Sequence, residues 1–134
     1  MKINAQTRYG LQAMVYLARN KGKVLTLKDI AKAQGAPLPY LEKILSKLEK
    51  AKLLESRKGK SGGYIFNKNP KNISVKEIFE AADKKLALIS CLGGTSCSKQ
   101  NCCRTKVIWA KLQNTMLKTL TDAKLSDLIH PHTK

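Results

Sequence analysis

TLKDIAKAQGAPLPYLEKILSKLEKAKLLESRKGKSGGYIFN, Thr26 to Asn67, decides the fold. Thr26-Leu-Lys-Asp29 has the form of a helix N-terminal cap, in which the threonine hydroxyl and the acid three residues on satisfy two otherwise unbonded N–H groups. The helix it opens runs to about Gln34 and is stopped by Gly35. Pro37-Leu-Pro39 starts a second helix, because proline is tolerated in a first turn, where its missing N–H is not required. Leu41, Ile44, Leu45 and Leu48 recur at helical spacing and form its buried stripe. Leu53–Arg57 then reads as a short strand, Lys58–Gly63 (KGKSGG) as a loop and Tyr64–Asn67 as a returning strand. Two helices across a short glycine turn make a helix-turn-helix, and the hairpin that follows is placed as a wing.

That order of elements gives the composition a meaning. Of 134 residues, 26 are Lys or Arg and 9 are Asp or Glu, a formal net charge of +17. The first 67 residues carry 14 basic and 4 acidic side chains, and the remainder 12 and 5. An excess of this size favours a polyanionic partner, since each phosphate neutralised releases condensed counterions. The expected partner is double-stranded DNA. In the candidate recognition helix, Pro39–Ala51, the first turn offers Pro39, Tyr40, Glu42 and Lys43 to base edges. Lys47 and Lys50 continue toward the phosphates. Glu42 is an unusual choice on such a face, and it suits DNA only as an acceptor for a cytosine amino group or as a repulsive element that excludes some sites. In the wing, Arg57, Lys58 and Lys60 supply charge, and Ser61 and Gly62 belong to the loop that lets backbone turn beside a phosphate.

Outward from this block, Tyr9, Leu11, Met14, Leu17 and Ala18 mark an amphipathic helix over about Ala5–Asn20. Pro70 breaks the chain after the wing. Ser74-Val-Lys-Glu77 is a capping box, so Val75–Lys84 is expected to be helical. From about Arg104 the pattern is helical again, with Ile108, Leu112, Met116 and Leu120 four apart and Trp109 beside them. An apolar stripe of that length has little left to pack against in so small a chain, so it is expected to meet a second subunit. A short last helix covers Lys124–Ile129. The fold class is therefore mainly α with a small β-hairpin wing: a winged helix-turn-helix plus a long C-terminal dimerisation helix. Residues 1–70 form the DNA-binding domain, and residues 71–134 hold a cluster-binding loop (about 88–104) and the dimerisation helices.

All four cysteines lie in ISCLGGTSCSKQNCCRTKVIW, Ile89–Trp109: Cys91, Cys97, Cys102 and Cys103. The paired C-x2–4-C knuckles of zinc sites are absent, since Cys97-x4-Cys102 has no second such pair beside it, and there is no C-x2-C redox motif. The chain starts without an apolar stretch of signal-peptide length, and no apolar run approaches the roughly 18 residues of a membrane span. A cytoplasmic, reducing address follows, where clustered thiols are a metal site or a redox sensor rather than a disulfide framework. Well-separated thiolates on a Gly-rich loop suit an iron–sulfur cluster. Cys102 and Cys103 are adjacent, so one is a ligand and the other a spectator or a reactive thiol. The competing reading is a set of thiols that pair on oxidation.

TRYGLQAMVYLA, PLPYLEKILSKLEKAKLLESRKGKSGGY, ISVKEIFEAAD and a C-x5-C-x5-C triad running into RTKVIW together resemble the IscR/NsrR-type family of winged-helix iron–sulfur transcriptional regulators, over nearly the whole length. The resemblance implies a homodimer whose long helices cross and an iron–sulfur cluster on Cys91, Cys97 and Cys103. It implies too that the cluster state alters binding to a palindromic operator. It puts Glu42 where the family has a specificity-setting glutamate and Lys58 on a wing arginine. Two positions depart from the pattern: Lys106 stands where IscR-like members have a histidine, and Arg8 where NsrR-like members have an aspartate. The fourth iron position is left to Cys102, to another side chain across the dimer, or to an external ligand.

The function expected is a cytoplasmic DNA-binding regulator, acting as a repressor, whose operator affinity is controlled by a cluster sensing redox state, nitric oxide or iron–sulfur supply. A 2Fe–2S cluster is favoured over 4Fe–4S. The alternative keeps DNA binding but replaces the cluster with thiol oxidation or a partner protein. An enzyme is not expected, nor is a small-molecule substrate or a membrane partner: no Ser–His–Asp grouping or paired-carboxylate motif stands out, and His130 and His132 are the only histidines.

Overall fold

The computed structural model describes residues 4–60, 62–83 and 105–129. Six helices and one hairpin are present among them: α1 (Ala5–Arg19), α2 (Leu27–Gln34), α3 (Leu38–Lys50), β1 (Glu55–Arg57), β2 (Gly63–Ile65), α4 (Val75–Ala82), α5 (Lys106–Asp122) and α6 (Leu125–Ile129), with a 3-10 turn at Pro70–Asn72. The predicted elements are all there, with boundaries moved by one or two residues. Lys84 and Arg104, expected at the edges of α4 and α5, lie outside the described residues.

Local sequence accounts for most of the boundaries. Asn4 caps α1, its side chain accepting from the Thr7 N–H. Thr26 and Asp29 form a reciprocal capping box on α2, and Ser74 and Glu77 form one on α4; each such cap contributes about 1 kcal/mol. Gly35 ends α2 with φ at +63°, a left-handed conformation that residues with a Cβ rarely adopt. This turn swings the chain from α2 into α3. The predicted strand Leu53–Arg57 is shorter than expected: the Leu53 N–H is bonded to the Leu48 carbonyl at the end of α3 (3.0 Å), and the ladder begins at Glu55.

The core lies where α1, α3 and α4 meet. Met14, Leu17, Ile30, Leu41, Ile44, Leu45, Leu48, Phe66 and Ile78 are fully buried or nearly so. The α3 stripe is therefore the one expected from spacing, and burying each such side chain contributes about 1.5–3 kcal/mol. Leu125 of α6 joins this core. It is held there by two backbone bonds, Val75 N–H to Ala123 O (2.9 Å) and Leu125 N–H to Ile73 O (2.8 Å). α6 thus packs back onto α1 and the Pro70–Asn72 turn, and α5 lies against α4.

In the hairpin, β1 and β2 are antiparallel with Glu55 opposite Ile65, Ser56 opposite Tyr64 and Arg57 opposite Gly63. A third segment, not anticipated from the sequence, pairs with it. Leu25 exchanges both backbone bonds with Tyr64, at 2.9 and 2.8 Å, just before α2 begins. The approach is close enough that a Cβ on Gly63 would lie 2.2 Å from the Leu25 carbonyl oxygen. Through this bridge the wing is tied to the start of the helix-turn-helix.

Candidate nucleic-acid interface and cysteine segment

With Leu41, Ile44, Leu45 and Leu48 facing the core, the opposite side of α3 carries Pro39, Lys43, Ser46 and Lys50 along one line. Pro39, Lys43 and Lys50 are exposed and Ser46 is half-buried. This is the outward stripe of the recognition helix, and it includes Ser46, which residue type alone did not single out. The spacing held the signal: Ser46 lies three residues after Lys43 and four before Lys50.

Two side chains lie on the edge of α3 nearest α1. Tyr40 packs its ring edge-on against Tyr9, with centroids 5.6 Å apart and planes at 81°. Lys47 donates from Nζ to Gln6 Oε1 of α1 at 2.8 Å. Its ammonium is thus engaged within the protein, on the wall of an open cleft between α3 and α4 that Lys50, Glu77, Glu80 and Asp83 also line. On the other edge, nearest the wing, are Glu42, exposed, and Glu49, half-buried. Glu49 Oε1 accepts from Ser56 Oγ of β1 at 3.2 Å. Burial, then the nearby Glu49 and Glu42 carboxylates, push the Tyr64 phenol above its ordinary range.

The wing itself is cationic and exposed. Arg57, Lys58 and Lys60 all reach solvent. Arg57 is 3.6 Å from the Glu55 carboxylate, an exposed pair that a phosphate can replace. The loop closes through Gly62 N–H to Gly59 O at 2.9 Å. Ser61 lies outside the described residues. The outward stripe of α3 and the wing each present exposed cations, and the edge of α3 that carries Glu42 and Glu49 lies between them.

α5 behaves as its pattern implied. None of its residues is buried within the protomer. Val107, Ile108, Trp109 and Leu112 are exposed by 63, 51, 39 and 48%, and Met116 and Leu120 are half-buried. A helix with such an apolar face is incomplete by itself.

Cys91, Cys97, Cys102 and Cys103 lie outside the described residues. What is described is the boundary of their segment. α4 ends at Asp83, whose carboxylate accepts from the Asn4 side-chain amide at the head of α1, and α5 begins after Thr105. Arg8 and Lys106, the two departures from the family pattern, are both exposed. Among the described residues no group of three or more His, Cys, Asp or Glu is arranged to hold a metal ion, and no helix is long and apolar enough to cross a membrane.

Comparison with known proteins agrees with this geometry. Residues 3–131 match the family model Rrf2, described as iron-dependent transcriptional regulator. The transcriptional regulator IscR of Escherichia coli is 31% identical over 131 residues, spanning 97% of this chain and 81% of its own. The solved structure of T. potens IscR superposes with a TM-score of 0.75 at 32% identity, covering 96% of this chain and 86% of that one. Staphylococcus aureus CymR, solved in an oxidized form, superposes with a TM-score of 0.80 at 27% identity over the full length of both chains. The likeness to these regulators runs over nearly the whole length of this winged helix-turn-helix chain, and the chain belongs to the Rrf2 family of DNA-binding transcriptional regulators.

Proposed function

We propose that this protein is a cytoplasmic homodimer that binds a palindromic operator, acts as a repressor, and has its affinity set by an iron–sulfur cluster. The observation that carries the reading is the course of the chain around the cysteines. α4, packed in the core and joined at Asp83 to the head of α1, leads into the segment with the thiols, and that segment leads into the exposed apolar helix α5. A change of order in the segment therefore acts on the DNA-binding core and on the dimer helix together. The donor set fits the cofactor: Cys91, Cys97 and Cys103 would hold the cluster, with the fourth iron position open to Cys102, a side chain of the second copy or an external ligand. When bound, the cluster supplies redox and ligand-exchange chemistry, with 2Fe–2S favoured.

The chain's own residues supply the rest. Ile108, Trp109, Leu112, Met116 and Leu120 would pack against a second copy. Pro39, Tyr40, Glu42 and Lys43 would read bases, and Lys47, Arg57, Lys58, Lys60, Ser61 and Gly62 would meet phosphates. For Lys47 this requires exchange of Gln6 for a phosphate oxygen. Two copies bring two recognition helices to half-sites about one helical turn apart.

A second reading is favoured by the likeness to CymR, a regulator solved in an oxidized form. On that reading this chain holds no cluster, and its DNA binding is controlled by oxidation of its own cysteine thiols or by a partner protein. Anaerobic purification with iron and sulfide analysis separates the two, beside a Cys97→Ala control. Iron and sulfide in the wild-type protein, lost in the variant, support the cluster. Protein free of both after anaerobic reconstitution supports thiol control.

A further inference from the structure

Glu49 is a carboxylate in a doubly unfavourable place. It lies in the last turn of α3, beside the partial negative charge of the helix C-terminus. It also borders the surface offered to a polyanion. Its partners explain it. Oε1 accepts from Ser56 Oγ of β1 at 3.2 Å, and Ser56 stands directly opposite Tyr64 of β2. After burial, Glu49 is the strongest influence on the Tyr64 phenol. On the far edge β2 is fixed by its paired backbone bonds to Leu25. The hairpin is therefore held from both sides, by Leu25 at the head of α2 and by Glu49 at the end of α3.

We propose that Glu49 is a positioning residue that clasps β1 to the recognition helix through Ser56, so that the helix and the wing cations Arg57, Lys58 and Lys60 meet one DNA duplex as a rigid unit. The proposal rests on DNA binding alone and is independent of any cluster. It also inverts a simple electrostatic expectation. Removing a carboxylate from a DNA-facing edge strengthens binding when charge alone matters. A clasp gives opposite signs for two substitutions: Glu49→Ala loses the acceptor, whereas Glu49→Gln keeps an amide oxygen for Ser56 while losing the charge.

The test is binding to a fluorescent mixed-sequence DNA duplex across a range of salt concentrations, with thermal unfolding followed in parallel. Glu49→Ala is expected to bind about 2- to 10-fold more weakly, the scale of one net hydrogen bond. Its salt dependence should fall by about one phosphate contact as the wing loses its place. Glu49→Gln is expected to bind at least as tightly as wild type. Ser56→Ala should weaken binding like Glu49→Ala, and the double variant should be no weaker than either single one. Tighter binding by Glu49→Ala with an unchanged salt slope overturns the proposal, as do additive losses in the double variant. Should Glu49→Ala unfold, Ser56→Ala, at an exposed position, decides the matter by itself: weaker binding supports the clasp, and wild-type affinity overturns it.

Discussion

Gly63 shows how much a single position carries in this fold. A methyl group there would sit 2.2 Å from the Leu25 carbonyl oxygen and 3.0 Å from the Thr26 Cα, so backbone rather than a side-chain tip would have to move. The displaced bonds would be the Leu25–Tyr64 pair that ties the wing to the helix-turn-helix. Gly63→Ala is expected to destabilise the protein by about 1–3 kcal/mol, the range for forced overpacking, as read by chemical denaturation. A midpoint equal to wild type would mean that the wing is not fixed by this bridge. Residue type revealed some of these roles and concealed others. Arg57, Lys58 and Lys60 are legible as a basic loop. Glu49 is not, because what matters is its reach to Ser56 across the helix–strand connection. Lys47 reads as a free cation in the sequence, yet it is bonded to Gln6, 41 positions away, and only folding brings the two together.

Elements were legible wherever the chain announces its own boundaries. Thr26–Asp29, Ser74–Glu77 and Gly35 are local signals, and α2, α4 and the turn into α3 fall where those signals put them. The Leu25 strand left no such signal, because one residue paired at one place has no periodicity. The anchoring of α6 through Ala123 and Leu125 was hidden for the same reason. α5 is the opposite case. Its apolar stripe was plain in the sequence, and the structure finds Ile108, Trp109 and Leu112 exposed as the pattern required. Leu112 is 48% exposed in its own protomer, so on the proposed homodimer Leu112→Glu is expected to leave helix content and monomer folding nearly unchanged while giving a monomer in analytical ultracentrifugation. DNA binding should then weaken about 100-fold or more, because linked sites lose their effective concentration. A variant that remains dimeric would place the subunit interface elsewhere.

At the scale of the whole molecule, the charge, the basic stripe and the exposed helix serve one arrangement. A net charge of +17 draws the protein to DNA irrespective of sequence, so in the proposed homodimer selectivity and control have to come from how the two recognition helices are held. The cysteine segment is inserted between α4, part of the core that carries α3, and α5, whose exposed apolar face is the proposed contact with a second copy. Binding energy released there can be divided between the DNA surface and the dimer. A coupling of only about 1–3 kcal/mol changes affinity roughly 5- to 150-fold. The thiol spacing rests on the sequence alone, since Cys91, Cys97, Cys102 and Cys103 lie outside the described residues, and the fourth ligand of the proposed cluster was not legible there, because Lys106 and Arg8 stand at the positions where the resemblance places it.

The most direct measurement of cluster control is the affinity of one preparation for one palindromic duplex, selected by this protein from a random pool, before and after its iron and sulfide are removed. Thermal unfolding is monitored to keep loss of cofactor separate from loss of fold. A difference of about 5- to 150-fold is predicted between the loaded and stripped forms, abolished in Cys97→Ala. Equal affinities for folded protein in both forms would contradict control by the cluster.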